Sequence, residues 1–149
     1  NNNTLSSITA LPAAITTGKI LQAAYAVNTT EITSSGGVDI TNLSFTPTNA
    51  SNKIIFFGNV AQIRKANAGT SDAAGLAIQV NGVGTNAQAS NEGYPESESD
   101  TRGNMTCIGY GDAWSGAQTV SLRANGFGTG ISYSYQSAPS TLIVLEVEA

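Results

Sequence analysis

Carboxylates crowd one short segment of this chain, Asn91-Glu92-Gly93-Tyr94-Pro95-Glu96-Ser97-Glu98-Ser99-Asp100. Two carboxylates roughly 5 to 9.5 Å apart can hydrolyse a glycosidic bond. A group of them can hold Ca²⁺, which takes about six to eight oxygens. Neither chemistry is specified here: the segment is turn-rich, nothing in it fixes a separation, and the EF-hand spacing is absent. The expectation is a solvated loop with no catalytic residue and no metal. Composition removes most other chemistries. The sequence has no histidine, which excludes Ser-His-Asp and Cys-His arrangements and His-ligated zinc. Its single cysteine, Cys107, excludes a cysteine-rich metal site and any intrachain disulfide. Gly126-Phe127-Gly128-Thr129-Gly130 lacks the Lys-Ser/Thr of a phosphate-binding loop and reads as a hairpin loop. The chain is therefore expected not to be an enzyme and to need no cofactor.

Binding is the chemistry that the residue types do allow. Saccharide recognition uses aromatic faces against sugar C–H surfaces, with amides and carboxylates taking the hydroxyls. Candidate ligand-binding residues are Tyr94, Glu96, Glu98, Asp100, Arg102, Tyr110 and Trp114. Tyr133 and Tyr135 are expected to share one face of a strand. For Trp114, Tyr133 and Tyr135 the structural alternative is a place in the core or a subunit interface, with the polar tip satisfied.

These residues must be positioned by strands. Apolar–polar alternation and turn signals mark Lys19–Val27, Val38–Phe45, Lys53–Arg64, Gly75–Val80, Thr85–Ser90, Asn104–Trp114, Gln118–Ala124, Ile131–Gln136 and Thr141–Glu148. Ser34-Ser35-Gly36-Gly37 and Asn81-Gly82 are the clearest turns, and Asn-Gly between two strands marks a hairpin. The fold class expected is all-β: an antiparallel jelly-roll-like β-sandwich of about eight or nine strands. Lys53-Ile54-Ile55-Phe56-Phe57 is apolar on both sides, as in a strand covered on both faces. In the last strand Leu142 and Val144 point one way and Ile143, Leu145 and Val147 the other, with Glu146 standing where an apolar residue is expected. A doubly apolar strand in so small a sandwich implies that its outer face meets another subunit, and a homotrimer is expected.

The chain has 149 residues, a length suited to one domain with a real core. Residues 1–17 read as an extended connector or docking arm and residues 18–149 as the sandwich. The first residue is Asn1, not Met, as expected of a processed product or a piece of a longer chain. Apolar residues make up 40% and charged residues 11%, less than half the usual charged share. With a net charge of −4 and one adjacent cationic pair, Arg64-Lys65, no nucleic-acid partner is expected. No stretch approaches the roughly 18 to 20 apolar residues of a membrane span, so no membrane insertion is expected.

Three short motifs carry a family resemblance: Gly18-Lys19-Ile20-Leu21-Gln22, then Thr46-Pro47-Thr48-Asn49-Ala50-Ser51-Asn52-Lys53-Ile54, then Ser140-Thr141-Leu142-Ile143-Val144-Leu145-Glu146-Val147. Together they resemble the C-terminal β-sandwich domain of phage tail-fibre, receptor-binding proteins. The resemblance implies a structural protein of the virion surface, a distal tail-fibre domain that adsorbs to a host-surface glycan or protein. It would contact other virion proteins through residues 1–17. The loops at its free end, including Ala66–Ala74 and Asn91–Gly103, would carry specificity. An alternative is a capsid decoration or head-fibre protein that stabilises the shell. A third reading, a polysaccharide depolymerase, would use the carboxylates of the acidic segment.

Overall fold

The computed structural model describes residues 18–34, 36–67, 72–94, 97, 99–126 and 130–149; the 1–17 connector lies outside them. Its strands are β1 (Ile20–Asn28), β2 (Ile32–Thr33), β3 (Asp39–Phe45), β4 (Lys53–Lys65), β5 (Asp72–Val80), β6 (Val83–Tyr94), β7 (Thr101–Asp112), β8 (Gln118–Ala124), β9 (Ile131–Tyr133) and β10 (Ser140–Val147). All pairings are antiparallel. One sheet runs β1-β10-β4-β7, and the other runs β3-β8-β5-β6. That order is the double Greek key of a jelly roll. The short β2 and β9 extend the first sheet beyond β10, where β9 pairs with the last residues of β4. Asn81-Gly82 forms the expected tight hairpin turn, with φ of 48° and 79°.

The core lies between the two sheets. Ile54, Phe56, Val60, Leu142 and Val144 face Leu76, Ile78, Val120 and Leu122, all at or near complete burial. Gly58 is required where the sheets approach: a Cβ there would lie 2.5 Å from Leu122 Cδ1 and 2.8 Å from Cys107 Sγ. Gly109 serves the same purpose where β6 crosses the edge of β7. A Cβ at Gly109 would stand 2.5 Å from the Ala87 amide nitrogen, and the Tyr110 amide beside it donates to Asn86 Oδ1 at 2.9 Å.

The expected covering of both faces of β4 and β10 is not met within one chain. Their inward residues are buried, but Ile55, Phe57, Ile143, Leu145 and Val147 are only half-buried. The register aligns these into rows across the outer face of the larger sheet. One row runs Tyr25–Ile143–Phe57–Ile108 and the next Ala23–Leu145–Ile55–Tyr110. Tyr25 is 76% exposed and Tyr110 70%.

The register also gives the molecule two poles. Ile20, Val147, Lys53 and Asp112 align at one end of the larger sheet, so the sandwich begins and ends at that pole. Here the three motifs of the resemblance meet on one side chain. Glu146 points inward and is fully buried. Its Oε1 accepts from the Thr48 amide (2.9 Å), the Thr48 hydroxyl (2.8 Å), the Asn49 amide (3.2 Å) and Asn52 Nδ2 (2.6 Å). Its Oε2 accepts from Gln22 Nε2 (2.7 Å) and shares the Thr48 amide. Gln22 also donates to the Thr46 carbonyl at 2.8 Å. Burial by itself would raise the carboxyl pKa, but the bonds from Asn52, Thr48 and Gln22 outweigh it and hold the group at about 2. The motifs that carry the resemblance thus build a structural latch.

Candidate ligand-binding site

The opposite pole collects the ends of β4, β6 and β8, and the segment joining β9 to β10. Ser134 there is buried and takes a left-handed φ of 55°, which ends β9 after Tyr133. The Asn28 amide holds it at 3.2 Å and the Ser140 hydroxyl at 2.6 Å. A single 3-10 turn, Tyr135–Ser137, follows. The expected strand to Gln136 therefore stops early, and the two tyrosines separate. Tyr133 is buried, and its hydroxyl lies 3.4 Å from the Gly75 carbonyl. Tyr135 swings out over the end of β4.

Below it stand Arg64 and Arg102, direct cross-strand partners on β4 and β7. Both project to the outer face. Like charges directly opposite repel, and two features offset this. The Tyr135 ring receives both guanidinium groups, with Cζ of Arg64 4.7 Å and Cζ of Arg102 5.1 Å from its centroid. Asp100 bridges them, accepting from Arg64 Nε at 2.6 Å and Arg102 Nη2 at 3.3 Å. The Arg64 bond is the main cause of a lowered Asp100 pKa, so the carboxylate stays ionised. Gln136 Oε1 accepts from Arg102 Nη1 at 3.3 Å. Asp100, Ser134, Gln136 and Ser137 are four of the five described non-glycine residues with positive φ, at 54° to 60°; the fifth is the turn residue Asn81. Backbone held in this region tends to cluster at ligand sites.

The result is a half-exposed patch of two planar donors, one carboxylate acceptor, one amide and one aromatic ring. It is suited to ligands rich in hydroxyls. No group of residues that could hold a metal ion occurs among the described residues.

Of the residues expected from sequence, the patch contains Asp100 and Arg102. Glu96 and Glu98 lie outside the described residues. Tyr94 closes β6, its backbone paired with Asp72. Tyr110 sits eight residues along β7 from Arg102, about 26 Å away, in the apolar rows. Trp114 is half-buried near the latch, edge-on to Phe45 at 6.1 Å, with Nε1 donating to the Phe45 carbonyl at 3.4 Å. The candidates thus divide between the two poles. Arg64 and Gln136 are not among the expected residues, and Tyr135 is weighed for binding from sequence but not placed in the site; the three converge only through tertiary contacts. The expected specificity loops are shorter than drawn, because residues 72–74, 91–94 and 101–103 are strand. The strand ends that flank them, Lys65, Asp72, Tyr94 and Thr101, are at the patch pole.

The sequence matches no protein-family model and no curated protein. Among solved structures, the chain is similar to the EclA C-terminal domain, described as a sugar-binding protein, with TM-score 0.43 and 11% identity over 93% of this chain and 92% of that one. It is also similar to latent PorU from Porphyromonas gingivalis, with TM-score 0.41 and 10% identity over 89% of this chain and 14% of that one.

Proposed function

We propose that this chain is the distal, receptor-binding domain of a phage tail fibre. It works on the virion surface as a homotrimer and adsorbs to a host-surface glycan through the patch of Arg64, Asp100, Arg102, Tyr135 and Gln136. It binds its ligand and does not turn it over.

One observation carries the reading: the patch and the beginning of the sandwich are at opposite poles. Arg64 lies eleven residues along β4 from Lys53, about 36 Å from the pole where β1 begins. A domain tethered at Gly18 presents this patch outward, on rigid strands instead of a free loop. Guanidinium donors, the Asp100 carboxylate and the Gln136 amide suit sugar hydroxyls, and the tyrosine ring supplies apolar surface. Each patch is small and its affinity weak, and three on one trimer gain by avidity.

The test is binding of the purified domain to host cells and to an immobilised glycan panel, with Arg102→Ala and Tyr135→Ala. Losing one such contact costs about 1–2 kcal/mol, so each variant should bind roughly tenfold more weakly while melting as a folded domain. Wild-type binding retained by both variants refutes the assignment of the patch, and wild-type protein that binds neither cells nor glycans refutes the function.

A further inference from the structure

The outer face of the larger sheet changes character along its length. At the patch pole it is charged. A polar row follows, in which Asn59 Nδ2 donates to Thr106 Oγ1 at 2.8 Å. Beyond this come the two apolar rows. They contain no charged residue, and the charges at their far edge, Lys53 and Asp112, pair with each other.

The exposure there reaches the upper limit of what a lone sandwich carries. Tyr25, Tyr110 and Ile108 in these rows are 76%, 70% and 58% exposed, and Ile20 and Val27, on β1 at either edge of them, are 57% and 50% exposed. A covered aromatic side chain buries about 150–250 Å². With the three aliphatics, these five leave on the order of 500–600 Å² of apolar surface open. That is the top of the range for the largest patch on a monomer. The half-buried residues of β4 and β10 between them bring the face towards the roughly 800 Å² that each side of a stable interface buries.

We infer that this face is a homotypic interface, occupied by a second copy of the same chain. The surface identifies its partner by what it lacks. Partners of different sequence are commonly selected by complementary charge, and here no net charge is offered. The relief also suits self-association. The most exposed side chains form two ridges, on β1 and β7, and the half-buried residues of β10 and β4 form the trough between them, about 14 Å across from ridge to ridge. A ridge of one copy packs into the trough of the next. An axis along the strands places every Arg–Tyr patch at the same pole. The inference specifies the contact surface of the proposed trimer, and its test needs no ligand.

The experiment is native mass by light scattering for wild type, for the double variant Tyr25→Lys/Ile108→Lys, and for the control Val83→Lys, with circular dichroism melts of each. All three sites are more than half exposed, so the lysines should not disturb the fold. The expected result is a wild type of three chains, a control of the same mass, and a folded single chain for the double variant. A two-chain wild type that falls to one in the double variant upholds the interface and overturns only the trimer. A double variant with wild-type mass, a control that dissociates equally, or a single-chain wild type overturns the interface. Glycan binding that survives in the single-chain double variant separates this result from failure of the patch.

Discussion

Glu146→Gln keeps the shape of the latch and removes its charge, and the consequence can be worked from the donors around it. The amide retains one acceptor oxygen for Thr48, Asn49 and Asn52. Its NH₂ then faces Gln22 Nε2, which must turn over and give up the Thr46 carbonyl. The wild-type carboxyl is held at about 2, against an ordinary 4.5. Because the folded value is the lower one, the stability this group lends is fully present above about pH 4.5. It is lost as the pH falls towards 2. One pKa unit is worth about 1.4 kcal/mol. The charge therefore contributes roughly 3 kcal/mol at neutral pH, about half of that near pH 3 and little near pH 2. In a domain of this size the neutral-pH loss lowers Tm by roughly 6–12 °C. Urea unfolding of both proteins at neutral pH and near pH 3 measures it. The gap between them should shrink by about half in acid. An equal gap at both pH values would show that the cost is packing and not charge, and no gap at neutral pH would refute the latch altogether.

Two further outcomes follow from the core. Cys107 is 2% exposed, and burial pushes its thiol up to about 11. A thiol reagent at neutral pH should label the native protein at a small fraction of the rate seen in denaturant; rapid native labelling would refute the placement of β7. Gly58→Ala should destabilise by about 1–3 kcal/mol through overpacking against Leu122 and Cys107, read as a lower urea midpoint. An unchanged midpoint would mean that the sheets are further apart than described.

The strands were legible because alternation reports directly on burial. β8 matches its expected bounds, and the inward Leu142 and Val144 placed Glu146 on the same face before any coordinate. β5 and β6 were drawn too short. Residues 72–74 and 91–94 are Asp, Ala, Asn, Glu, Gly and Tyr, mostly poor strand formers, and they are extended because their neighbours pair with them. The double apolarity of β4 and β10 was visible too, but it implied cover where a single chain leaves an open face. The patch was hardest to see. Tyr-Ser-Tyr reads as uninterrupted alternation, and nothing local shows that Ser134 will be held left-handed by hydrogen bonds with Asn28 and Ser140. Arg64 and Arg102 meet only through the register of β4 against β7.

The polar arrangement of the sandwich also decides how it carries tension. A pull between the Arg–Tyr pole and Gly18 runs lengthwise along β1. That strand is laddered to β10 from Gln22 opposite Glu146 to Asn28 opposite Ser140, and β10 in turn to β4. The ladder is loaded in shear, so its hydrogen bonds share the force and must fail together. Pulling β1 outward from the far pole would instead peel them off one at a time. A load applied between these two ends would act on the fold in its mechanically strong direction.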